Sequence, residues 1–123
     1  MNNNSLFRIG VIVYALVIGV FGINHFLKVS TMQSMVPSFL PGGAIWVYIT
    51  GLALVAAAVS FLTGKYTRLA GILLCVFLLA IVLAVHLPAV MHAPDENASR
   101  FPMTNLMKDI GLAAGALMIA GKA

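Results

Sequence analysis

Four apolar stretches, residues 6–26, 45–62, 69–87 and 105–120, take up most of this 123-residue chain. Each is close to the length of about 20 residues that crosses a bilayer as a helix. A chain that crosses repeatedly reverses direction each time. The end of the first stretch, the start of the second, the end of the third and the start of the fourth therefore share one face. Asn24, His25, Tyr48, Thr50, His86, Asn105, Lys108 and Asp109 all fall there. The opposite half carries no charged residue until its rim, at Arg8, Lys65, Arg68 and Lys122. The pattern predicts an all-α fold. It is a transmembrane four-helix bundle, antiparallel and up-down-up-down, with residues 1–123 forming a single integral membrane domain.

Composition points the same way. Hydrophobic residues make up 62% of the chain and charged residues 8%. A soluble domain carries roughly 25% charged residues, so this chain is too poor in charge to cover a water-facing surface. Glycine and alanine recur within the stretches, as expected where helices approach closely in lipid. The lipid bilayer is thus the first expected partner. The basic residues are scattered and not gathered on one face, which argues against a nucleic-acid partner. Counted at the helix ends, they favour the rim of Arg8, Lys65, Arg68 and Lys122 over Lys28 and Arg100. The expectation is a multi-pass membrane protein with both termini in the cytoplasm. The first stretch is too long for the apolar core of a signal peptide and reads as a retained helix. Cys75 is the only cysteine. It excludes an internal disulfide and a thiolate metal site, and reads as a small packing residue.

Local signals place the helix ends. Pro41-Gly42-Gly43 precedes the second stretch, and Gly64 stops it. Pro88 is expected to end the third, because it lacks a donor and restricts the residue before it. In residues 27–43, Val29, Met32, Met35 and Val36 recur at helical spacing, which predicts a short interfacial helix and then an extended return. Residues 88–104 hold Pro88, Pro94 and Pro102 and the acidic pair Asp95 and Glu96, and read as a second loop. Phe39, Leu40, Phe101 and Met103 should pack over the polar end, since apolar side chains are costly in water. Gly111 and Gly115 form a G-x-x-x-G pair, which serves either a homo-oligomer or a neighbouring helix of the same chain.

The candidate ligand-binding residues are His25, Tyr48, Thr50, His86, Lys108 and Asp109. At 1.5 Å per residue, Asp109 lies about 6 Å from the middle of its helix. An acid at that depth must face the interior, pair or protonate. Tyr48, Thr50 and His86 are its expected partners. Lys108 points about 100° away on the helical wheel, so it need not pair with Asp109 and is free to reach outward. His25 and His86 lie at similar depth on different helices. They lack the spacing of a metal or haem site, so no metal is expected. There is no phosphate loop, no nucleophile-and-base motif and no polar relay across the full depth. No cofactor is evident from the residues, and catalytic residues are not identifiable.

In their order, Gly22-Ile-Asn-His-Phe26, Met35-Val-Pro-Ser-Phe-Leu-Pro-Gly-Gly43, Trp46-Val-Tyr-Ile-Thr-Gly51, Arg68-Leu-Ala-Gly71, His86-Leu-Pro88 and Lys108-Asp-Ile-Gly-Leu-Ala-Ala-Gly115 resemble the DoxX family of small four-helix membrane proteins. Many DoxX proteins carry a glutamate shortly after the Thr-Gly pair. Here Leu52-Ala-Leu-Val-Ala-Ala-Ala58 is wholly apolar, which places the chain in a DoxX-like branch. The resemblance implies a prokaryotic cytoplasmic membrane. It also implies a link to respiratory or sulfur redox chemistry, as in thiosulfate:quinone oxidoreductase subunits, or to oxidative-stress complexes. The leading expectation is an accessory component of such an assembly. It would bind a protein partner of the redox complex, or a small apolar ligand such as a quinone, at its outer polar end. A donor-lined mouth on an apolar bundle suits both the carbonyls and the tail of a quinone. The alternatives are a catalytic quinone-reducing subunit, and a structural or lipid-binding protein with no electron chemistry.

Overall fold

The structure is a computed structural model that describes residues 2–123, and no strand occurs among them. Helix α1 spans Asn3–Leu27, α2 Val29–Met32, α3 Ala44–Thr63, α4 Thr67–Ile81, α5 Leu87–Met91 and α6 Glu96–Lys122. A 3₁₀ turn, Gln33–Met35, follows α2, and a π turn, Val82–His86, joins α4 to α5. Three segments are long and apolar enough to cross a membrane: Asn3–Leu27, Ala44–Thr63 and the continuous run Thr67–Met91.

Helix ends follow their local chemistry. The Asn2 side chain accepts from Ser5 N–H at 2.8 Å and caps α1. Gly64 stops α3 with φ 76°, a left-handed conformation that glycine adopts without strain. The side chain of Asp95 accepts from Ala98 N–H at 2.8 Å, and Glu96 occupies the first turn of α6. Both acids complement the positive end of the helix dipole.

Packing is closest between α1 and α3 and between α4 and α6. A Cβ on Gly22 would lie 2.9 Å from Gly51 O, and one on Gly51 would lie 2.9 Å from the Cβ of His25. A Cβ on Gly71 would lie 2.6 Å from Ala116 O. Both crossings thus depend on the absence of a side chain. Around them Ala15, Ile18, Phe61, Leu74 and Ala116 form the buried core. Cys75 is free and packs there as a small apolar residue. The Tyr14 hydroxyl donates to Leu112 O, and its ring covers Gly115, while Gly111 faces open space. At the start of α1, Arg8 donates to Phe61 O at 2.8 Å and Leu62 O at 2.6 Å. These are carbonyls that the end of α3 cannot satisfy internally. Lys122 Nζ sits 4.9 Å from the Phe7 ring centroid, so the end of α6 joins the same rim.

Several expectations require correction. Pro88 does not end the third stretch. The helix widens into the π turn, where Leu87 N–H bonds Val82 O, and continues to Met91 with Pro88 in the first turn of α5. Pro88 lacks the N–H that a regular helix would direct to Ala84 O, and Ala84 lies inside the wide turn, where that ladder is already displaced. Residues 88–104 are therefore not a long loop. Helix α6 begins at Glu96, nine residues before the expected start, and carries Pro102 inside it. Of the four side chains expected over the polar end, Leu40 and Phe101 border the cavity described below. Phe39 and Met103 are exposed.

Candidate functional site

His86 stands at the last position of the π turn, and Asp109 lies at the middle of α6. Both are buried, at 6% and 5% exposure, and they are the only buried polar residues among those described. His86 Nε2–H donates to Asp109 Oδ2 at 2.9 Å. Lys108 Nζ lies 3.3 Å from the other oxygen, Oδ1, and 4.6 Å from the centroid of the Phe21 ring. This corrects the wheel-based expectation that Lys108 need not pair with its neighbour. The four-carbon stem bends back across the 100° between them, its ammonium still partly in solvent.

The three histidines differ in what their Nδ1 atoms meet. His25 Nδ1–H donates to Phe21 O at 2.6 Å and His92 Nδ1–H to Pro88 O at 2.8 Å, each reaching one turn back. The equivalent carbonyl for His86 is Val82 O, which accepts the N–H of Leu87 across the wide turn. His86 Nδ1 is buried without a hydrogen-bond partner. Such an atom is unusual, because leaving a buried polar group unpaired costs about 1–3 kcal/mol. π turns inside helices also recur at functional sites.

These groups border a cavity of about 480 Å³. His25, Thr50, His86, Lys108 and Asp109 all line it. Lys28, Thr31 and Asn105 line it too, and the rest of the wall is mostly apolar, with Leu54, Leu78 and Leu112 below the polar cluster. Met32, Met35 and Leu40 of the α1–α3 connection line it as well. Tyr48 does not join them: it is exposed and packs on Phe26, ring centroids 5.8 Å apart. The sequence reading did not select Trp46, Phe21 or Asn105, which also line the cavity. The signal was present as spacing. Trp46 lies one turn from Thr50, and Phe21 one turn from His25.

No group of three or more His, Cys, Asp or Glu side chains suited to a metal occurs among the described residues. A second hollow, of about 640 Å³, lies at the opposite end between Arg8, Arg68 and Ile119. It holds no acid–base pair. The Asp109 carboxylate thus has a cation on one oxygen and an imidazole on the other. The arrangement can bind the polar head of a small molecule and hold its apolar body among leucines.

Over residues 14–120 the chain matches the family described as Domain of unknown function (DUF8561). No curated protein and no solved structure matches it.

Proposed function

The chain belongs to the DUF8561 family, a domain of unknown function, and we propose that it is a DoxX-like membrane protein that binds a small quinone-like ligand in the cavity beside His86 and Asp109. Its setting is a transmembrane four-helix bundle, antiparallel and up-down-up-down, in a cytoplasmic membrane, with α6 as the fourth crossing. Its role is that of an accessory component in a membrane redox or oxidative-stress assembly. Family membership alone assigns no activity. The observation that carries the reading is the cavity of about 480 Å³, apolar along its walls and polar at one end, where a buried acid–imidazole pair stands. Ligand sites are typically apolar clefts with a few convergent polar groups. The basic rim of Arg8, Lys65, Arg68 and Lys122 supports cytoplasmic termini, an orientation in which the cavity would open towards the outer face.

Native mass spectrometry tests this on protein released from membranes in a mild detergent. The expected result is a retained isoprenoid quinone, lost from an Asp109→Leu variant that remains folded. Retention of bilayer phospholipid alone would overturn the reading in favour of a structural or lipid-binding protein.

A further inference from the structure

We infer that the hollow at the Arg8 end is a binding site for an anionic phospholipid, with the phosphate beside Arg8 and Arg68 and the upper part of an acyl chain between α1, α4 and α6. The inference rests on the membrane setting proposed above. It is independent of the ligand proposed for the cavity beside His86.

The hollow follows from how the helices pair. Helix α1 packs closely on α3, and α4 on α6. At the basic rim a space of about 640 Å³ remains between α1, the start of α4 and the end of α6. Arg8 and Arg68 both line it.

Charge names the occupant. Two N–H groups of Arg8 are committed to Phe61 O and Leu62 O, and a guanidinium has five. No carboxylate pairs with either arginine, because both ion pairs among the described residues belong to Asp109. Ala123 borders the hollow too, but its carboxylate joins no such pair. The acidic side chains, Asp95, Glu96 and Asp109, stand at or before the middle of α6, whereas the hollow meets that helix at its last turn. Arg68 lies in the first turn of α4, which holds no acid and has no side-chain cap, so its charge adds to the positive end of the helix. Lys122 brings a further cation over Phe7, a residue of the wall. Nothing in the chain offsets this charge.

The wall names the rest of the molecule. Phe7, Val11, Leu69, Ile72 and Ile119 are all apolar. Val11 and Ile72 lie about one turn deeper than Arg8 and Arg68. A free phosphate would meet the guanidinium groups and leave these side chains uncovered. An acyl chain covers them and continues into the bilayer. Basic pockets between transmembrane helices on the cytoplasmic side are a known setting for anionic lipid head groups.

The purified full chain in mild detergent is titrated by native mass spectrometry with phosphatidylglycerol and with phosphatidylcholine of the same acyl chains. Each basic residue near an anionic head group contributes about fivefold in affinity. The expected result is phosphatidylglycerol binding about tenfold or more tighter than phosphatidylcholine. Arg68→Gln should lose about fivefold of that, whereas Arg100→Gln, an exposed position at the other end, should lose less than about twofold. The wild-type comparison needs no variant, so it stands even if Arg68→Gln fails to fold. Equal binding of the two lipids overturns the inference. So does an equal loss in the two variants, which would show attraction to the general charge of the surface. Displacement of the lipid by millimolar inorganic phosphate at matched ionic strength would assign the hollow to a free anion and also overturn it. None of these outcomes alters the quinone test, whose readout lies in the other cavity.

Discussion

Replacing Asp109 by leucine removes the one acceptor held by His86 and leaves both imidazole nitrogens buried and unpaired. A neutral buried donor without a partner costs about 1–3 kcal/mol. The Lys108 ammonium adds little, because it can straighten into solvent from its half-exposed position. Asp109→Leu should therefore lose about 2 kcal/mol. Asp109→Asn keeps an acceptor for Nε2–H and should lose less than about 1 kcal/mol. The sharper quantity is the coupling between His86 and Asp109, from the cycle of His86→Phe, Asp109→Leu and the double variant. Neutral interhelical hydrogen bonds measured in membrane proteins average about 0.6 kcal/mol. An ionised acceptor roughly doubles the strength of such a bond. The expected coupling is about 1.2 kcal/mol, with the double variant more stable than the sum of the single losses. Reversible unfolding in mixed detergent and SDS micelles gives each free energy. A coupling below about 0.5 kcal/mol, the scatter expected of independent sites, would refute the pairing. An Asp109→Leu protein more stable than wild type would refute the interior position altogether, since it would mean an acid had been removed from lipid.

Three further outcomes are expected. Gly71→Ala should destabilise the chain by about 1–3 kcal/mol, because the new Cβ meets Ala116 backbone, whereas Gly111→Ala should be neutral or slightly stabilising in the monomer; micellar unfolding compares the two. If Gly111 instead serves a homo-oligomer, Gly111→Ile should abolish cross-linking of tagged copies in membranes without unfolding the monomer. Arg8→Met removes two bonds to α3 carbonyls and should lower stability by about 1–2 kcal/mol, with Arg8→Lys intermediate; equal stability of Met and Arg proteins would show that the contact carries no energy. A reporter fused after Ala123 should be active only in its cytoplasmic form, and periplasmic activity would reverse the proposed orientation.

The helices were legible because runs of about 20 apolar residues have few other uses. The gathering of His25, Thr50, His86, Lys108 and Asp109 was legible from depth, once alternate helices were taken to reverse. Depth does not give the side of a helix. Tyr48 lies at the level of Thr50 but about 200° round from it, and it faces outward against Phe26. Helical-wheel reasoning also treats side chains as short rods, which hid the Lys108–Asp109 contact. The early start of α6 was signalled by Asp95 and Glu96, but Pro102 argued for a loop. The proline proves compatible with the helix interior. The continuation past Pro88 had no such local sign, because a π turn depends on what the wide turn packs against.

That wide turn governs rotational phase. Leu74, Leu78, Val82 and His86 are all buried and lie four residues apart. In a regular α-helix each four-residue step overshoots by about 40°, so His86 would arrive about 120° away from Leu74. The extra residue held in the turn retards the helix just before the histidine, and His86 returns to the buried side. A chain shorter by one residue between Val82 and Val85 would keep its apolarity, its proline and nearly its full length. With the wide turn closed to a regular α-helix, its histidine would stand eleven residues from Leu74, about 20° away, and would still face the buried side. Closing the turn without removing a residue would instead carry the histidine about 120° round, and the cavity would lose its polar end.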